Sequence, residues 1–175
     1  GSDVFAVTGW GTIVHYDGSA WSHMGSGYDS LLGIWGTSGS DVFIVGYFGT
    51  ILHYDGNSWT PMDSGTDQHL YGVWGTSSSD VYAVGWSGTI VHYDGSTWTP
   101  MTTGTLETLK GVWGTLETDV FVVGYGPTIL RSRPRRFAPY GGACDEAIPL
   151  SCADAFDPYT GSNNFGRTAD FDSYG

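Results

Sequence analysis

Apolar positions along the chain come in short runs that recur in the same order. In one complete copy the runs are "LYGVWGT" (70–76), "DVYAVG" (80–85), "TIVHYD" (89–94) and "STWTPM" (96–101). Each run is rich in β-branched and aromatic residues, and Gly, Ser or Asp stands between runs, so each predicts a short strand. We label the four strands of a unit A to D. Runs such as "VFIV" are apolar on both faces, as expected of a sheet covered on both sides. No window carries sustained 3.6-residue periodicity with a capping signal, which excludes alternating strands and helices. No apolar run is long enough to cross a membrane as a helix.

The unit repeats. "SDVF" at 2 and 40 returns as "SDVY" at 79 and "TDVF" at 118, spaced 38, 39 and 39 residues. A period near 40 residues is that of a four-stranded propeller blade. The one-residue difference falls between the methionine closing strand D and the glycine of the next strand A, so the D–A connection is a surface loop. The fourth unit departs from the others: "TILRSRPRRFAPY" (128–140) aligns with "TIVHYDGSTWTPM", with Arg131 in place of the histidine and Pro134 in place of the turn glycine. The expected architecture is all-β. About four four-stranded propeller blades occupy 1–140, the first lacking strand A, and the start of a small β-sandwich-like module occupies 141–175. The sequence reads as an excerpt of a longer propeller, or as a ring that another copy completes, with open strand edges suited to self-association.

The unit "GVWGT…SDVYAVG..GTIVHYDGSTWTP" resembles propeller repeats of secreted and surface bacterial proteins, including the Ycf48-like group. Its "YDG..W.PM" end is similar to the kelch repeat, without that repeat's glycine doublet. It is also similar to the Asp-box of sialidases, but Asp94 and Trp98 are four residues apart where that motif has five. The resemblance covers residues 1–140. It implies the fold and an extracellular or cell-surface location, and leaves the activity open because propellers host many unrelated ones. The tail "ACDEAIPLSCADAFDPYTGSNNFG" is similar to the opening of β-sandwich modules in secreted bacterial proteins. The near pair Cys144 and Cys152 suits a local disulfide in an oxidising compartment, and two free thiols would read the same way.

The repeated "HYDG" is a candidate for chemistry. A shared metal at His15, His53 and His92 is excluded on spacing. Adjacent sheets pack about 10 Å apart, while nitrogens on one zinc lie within about 4 Å of each other. These histidines are expected to bond locally between blades. Asp17-Gly18, Asp55-Gly56 and Asp94-Gly95 read as the strand C to strand D turns. Asp3, Asp41, Asp80 and Asp119 open strand B and are expected to bond the preceding turn's backbone. Trp35, Trp74 and Trp113 in strand A, and Trp21, Trp59 and Trp98 in strand D, read as inter-blade core.

Function is then expected on the face where the copies differ, built from the B–C turns and D–A loops. The turns present Trp10, Tyr47, Phe48, Trp86 and Tyr125. The loops present Tyr28, Asp29, Asp67, Gln68, His69 and Glu107. Rings beside carboxylates and amides suit recognition of a glycan or a protein. The net charge of −12 disfavours nucleic acid as a partner. A sialidase-like activity needs clustered arginines, and residues 1–130 contain none. No nucleophile elbow, zinc motif, P-loop or cofactor signature is present, and no fixed-spacing calcium loop lies among the acidic residues. The expected role is non-enzymatic binding without a cofactor. A structural spacer and a glycosidase or lyase domain using Asp29, Asp67 or Glu107 are the alternatives. The arginines of 131–136 have two readings, a contact with the acidic tail or a solvated turn.

Overall fold

The computed structural model describes residues 3–115, 119–133 and 136–139. Cys144, Cys152 and the expected module over 141–175 lie outside the described residues. Among those described, no helix is long and apolar enough to cross a membrane.

The strands form four antiparallel sheets in chain order. The first holds β1 (Val4–Val7), β2 (Ile13–Tyr16) and β3 (Trp21–Gly25). The second holds β4 (Leu31–Ser38), β5 (Asp41–Gly46), β6 (Ile51–Tyr54) and β7 (Trp59–Met62). The third holds β8 (Leu70–Ser77), β9 (Asp80–Gly85), β10 (Ile90–Tyr93) and β11 (Trp98–Pro100). The fourth holds β12 (Leu109–Gly114), β13 (Val120–Gly124), β14 (Ile129–Arg133) and β15 (Arg136–Pro139). Each sheet is an up-and-down meander, so the chain is a segment of a β-propeller, as its sequence predicts.

The apolar runs are buried on both faces because alternate residues serve different interfaces. In β5, Phe43 and Val45 join Val73, Val81 and Val91 of the third sheet in one core. Ile44 points the other way and joins Ile13, Leu31 and Leu52. Tyr82 and Val84 of β9 repeat the forward contact onto Val120 and Val122. Side chains of this kind contribute about 1.5–3 kcal/mol each when fully buried.

The A strands converge most closely. A Cβ on Gly33 would lie 2.9 Å from the Tyr71 carbonyl oxygen, and one on Gly72 would lie 3.0 Å from that of Lys110. Lower down, the Trp35 ring covers Gly75 and the Trp74 ring covers Gly114, each 2.8 Å from where a Cβ would stand. The glycines of "GVWGT" are therefore contact surfaces. The tryptophans meet the core expectation only where a neighbouring blade exists. Trp98 is 6% exposed, whereas Trp21 in the first sheet is 56% exposed and Trp113 in the last is 60% exposed.

The Asp-Gly positions are the C–D turns, each a four-residue loop. Tyr16 pairs with Trp21 across Asp17–Ala20, and Gly18, Gly56 and Gly95 have φ of 98°, 92° and 91°. The Asp17 carboxylate accepts the Ala20 and Ser19 backbone N–H groups and the Ser19 hydroxyl. The Ala20 N–H contributes most to lowering its pKa to about 2. Asp94 is lowered to about 2 in the same way, first by Thr97 N–H and then by Ser96, and Asp55 is lowered by Ser58 and Asn57.

Two predictions follow from the packing and the turns. Gly75→Ala places a methyl against the Asp80 carbonyl and the Trp35 ring, and should cost about 1–3 kcal/mol in urea denaturation. Because the folded-state pKa of Asp17 and Asp94 lies below the ordinary 3.8, their contribution is complete above about pH 4 and lost as pH falls toward 2. An Asp17→Asn/Asp94→Asn variant should show a flatter stability profile over that interval.

Candidate functional site

The strand B aspartates are the first functional-looking groups that the fold explains. Asp41 Oδ1 accepts His53 Nε2 at 2.7 Å, Asp80 Oδ1 accepts His92 Nε2 at 2.7 Å, and Asp3 Oδ1 accepts His15 Nε2 at 2.8 Å. The other oxygen accepts a strand A hydroxyl, from Thr37 to Asp41 and from Thr76 to Asp80. In the fourth sheet Arg131 takes the histidine's place, with Nε 3.0 Å and Nη2 2.8 Å from Asp119 Oδ1. In the second and third sheets the carboxylate thus ties strand A to strand C across strand B. The expectation that these aspartates bond the preceding turn's backbone is corrected: their partners are side chains, brought together by strand register. Arg131 binds Asp119 of its own sheet, and the tail proposed as its partner lies outside the described residues. The histidines stack on Phe5, Phe43 and Tyr82 with centroids 4.4 Å apart. Among the described residues no group of three or more His, Cys, Asp or Glu could hold a metal ion.

At the other end of the sheets, the B–C turns and D–A loops are joined by backbone hydrogen bonds. Tyr47 N–H donates to Ser30 O, Trp86 N–H to His69 O and Tyr125 N–H to Thr108 O, all at 2.8–2.9 Å. Gly49 and Gly88 N–H donate to Gln68 O and Glu107 O of the following loops. The turn tips Phe48 and Ser87 are left-handed, with φ of 53° and 54°. Equivalent residues in two blades share this backbone, so it belongs to the turn and not to one ligand site.

On that frame four rings come together. His69 stacks between Tyr47, centroids 4.1 Å apart, and Trp86, 5.4 Å apart. Phe48 meets the His69 ring edge-on at 4.9 Å. Its N–H donates to His69 Nδ1 at 3.1 Å, so the neutral imidazole carries its proton on Nε2. Phe48 is 63% exposed and Trp86 51%. The result is a partly exposed aromatic row held in place from below.

The other residues expected on this face are distributed differently. Trp10 is solvent-exposed at its turn tip. Tyr28 is partly buried and packs against the core of Ile13, Leu31 and Ile44, so it supports the loop from beneath. Asp29, Asp67 and Glu107 are exposed on three separate loops. Tyr125 belongs to a second group that the sequence reading missed, where Lys110 Nζ lies 3.3 Å from the Tyr71 ring centroid and 5.0 Å from that of Tyr125. Leu32, Tyr71 and Lys110 sit at a β-bulge where the A strands slip register, Leu31 to Gly33, Leu70 to Gly72 and Leu109 to Gly111. Bulges re-aim side chains. The signal was visible as one variable residue inside "LLG", "LYG" and "LKG".

A cavity of about 540 Å³ adjoins the Trp86 turn, between the loops at 65–66 and 100–106 and above residues 87–91. None of the residues expected on the ligand-binding face lines it. Its walls combine threonine hydroxyls with Ile90, Met101 and Leu106, and no charged residue lines it.

No family model and no curated protein matches the chain. Among solved structures, the fold is similar to Ycf48 bound to D1 peptide, with a TM-score of 0.60 and 16% identity over 78% of this chain. The chain spans 48% of that structure's length. At this identity the likeness shows the propeller fold alone.

The carboxylate tie makes a specific prediction. Asp80→Ala leaves His92 and Thr76 without their partner in a largely buried place, and should cost about 1–3 kcal/mol. Because Arg131 serves in the fourth sheet, His92→Arg should retain more stability than His92→Ala in thermal denaturation.

Proposed function

We propose that the chain is a non-enzymatic recognition module that binds a protein ligand through the face bearing the B–C turns and D–A loops. The observation that carries this is the Tyr47–His69–Trp86 stack with Phe48 at its edge. Aromatic side chains offer contact area at small cost in rotamer freedom. The adjoining uncharged cleft of threonine hydroxyls and apolar side chains suits an extended peptide. Its hydroxyls meet main-chain groups while the rings take a side chain. The similarity to a propeller bound to a peptide supports a peptide over a glycan. The resemblance to repeats of secreted and surface bacterial proteins supports an extracellular or surface setting.

The end faces favour a second contact, with another copy of the chain. Trp113, Val123 and Ile129 at one end and Val4 and Trp21 at the other are exposed. Their counterparts Trp35, Val45, Ile51, Val81 and Trp98 build an inter-blade core.

Peptide phage display and a glycan array on the folded chain, each beside a Phe48→Ser/Trp86→Ser variant, test the first reading. Peptides enriched on the parent and weakened about tenfold or more by the variant are the expected result, since interface aromatics are frequent hot spots. Glycan signals alone would replace the peptide reading, and silence in both screens would overturn ligand recognition by this face. Sedimentation velocity should show association that rises with concentration and falls in Trp113→Ser. A monomer at every concentration would remove the second reading.

A further inference from the structure

The aromatic row lies between the second and third sheets, and each of these packs on a further sheet at its other side, β4 on β1 and β8 on β12. Blades therefore flank the row on both sides. Its two exposed rings stand on turns that are bonded to acidic loops. The Phe48 turn donates through Gly49 N–H to Gln68 O, next to Asp67, and the Trp86 turn donates through Gly88 N–H to Glu107 O. Asp67 and Glu107 are exposed. Among the described residues neither carboxylate has a hydrogen-bond or ion-pair partner. The strand B and turn aspartates are different, since Asp41, Asp80, Asp55 and Asp94 are all engaged.

No positive charge balances these two groups at the row. Residues 1–130 contain no arginine and a single lysine, Lys110. Its ammonium is committed to another pair of rings, 3.3 Å from the Tyr71 centroid and 5.0 Å from that of Tyr125. Among the described residues no ammonium or guanidinium stands over Tyr47, Phe48, His69 or Trp86. The faces of aromatic rings carry partial negative charge and attract a cation. An acidic ligand side chain would meet both ring faces and unpaired carboxylates, and would be repelled. An aliphatic one would gain the ring contact alone.

We infer that the row selects a cationic side chain, lysine or arginine, of the peptide that this face binds, and that the rings and the two carboxylates select it together. The inference rests on the peptide reading above and names the residue that the rings take. The apolar stem of that side chain packs on Phe48 and Trp86. Its charged head lies against the rings, with Asp67 and Glu107 on the loops that flank them. Lys110 over Tyr71 is the same contact made within the chain.

The test selects a random peptide library displayed on phage against the full 175-residue chain and against its Phe48→Ser/Trp86→Ser variant. The variant keeps the net charge, so attraction of basic peptides by the acidic chain as a whole would persist in it. Serine already occupies the Phe48 position of the next turn, as Ser87 with φ of 54°, so the backbone there accepts it. Peptides enriched on the parent alone, with Lys or Arg at one fixed position, are the expected result. By fluorescence anisotropy of the labelled synthetic peptide, replacing that residue with Met should weaken binding about fivefold or more. An Asp67→Asn/Glu107→Gln chain should bring the basic and Met peptides closer in affinity. Enriched peptides that need Phe48 and Trp86 but accept Met without loss would overturn the inference and leave the peptide reading standing. A basic preference that survives in Phe48→Ser/Trp86→Ser, or an unchanged ratio in Asp67→Asn/Glu107→Gln, would also overturn it. No enrichment on the parent chain would overturn both.

Discussion

The close approach of the inner strands is the constraint on which the rest depends. Sheets can radiate from a common axis only if their first strands nearly touch. Here the backbone carbonyl oxygens of Tyr71 and Lys110 stand only 2.9 and 3.0 Å from where Cβ atoms on Gly33 and Gly72 would be. Glycine is therefore required by contact at these positions, where backbone conformation alone would accept other residues. A few residues further on, the Trp35 and Trp74 rings fill the widening gap by lying flat over Gly75 and Gly114. One strand thus supplies both the narrow point and the wedge, and the alternating faces of β5 and β9 bury their apolar residues in the space this sets.

Strand A is joined to the rest of its blade by a charge. The strand B carboxylate faces a hydroxyl on one side and an imidazole or guanidinium on the other, so three strands share one ionic centre. Charge-assisted hydrogen bonds in partly buried places are directional, and the tie fixes register as well as contributing to stability. It also explains why the histidine recurs and why arginine can replace it: both present an N–H at the end of a flat group that rests on the strand B ring. With register held on one face, the opposite loops are free to vary, and the aromatic row and the uncharged cleft lie there.

Much of this was legible in the sequence, for physical reasons that can be named. The period, the strand runs and the Asp-Gly turns are local features, and local features survive in a linear string. The inward role of Trp35 and Trp74 was legible because the same residue recurs at the same register. The exposure of Trp21 and Trp113 was not, since burial depends on whether a neighbouring sheet is present. The aspartate was placed correctly but given the wrong partner. Thr76 and His92 lie on either side of Asp80 in sequence, and only strand pairing brings both to one carboxylate.

The candidate site divides along the same line. The sequence by itself determined which face would vary, because repeated residues mark the structural positions and differing residues mark the rest. It also determined which rings that face carries. Only the tertiary structure decided how they group. Tyr47 and Trp86 sit in equivalent turns of adjacent blades, and the D–A loop that inserts His69 between them joins them into one surface. Tyr28 turns inward to the core, and Lys110 emerges from a strand because a bulge rotates it toward Tyr71 and Tyr125. Spacing along a chain records which residues repeat. Which of them meet depends on how far apart the packed sheets hold their loops and on where the register slips.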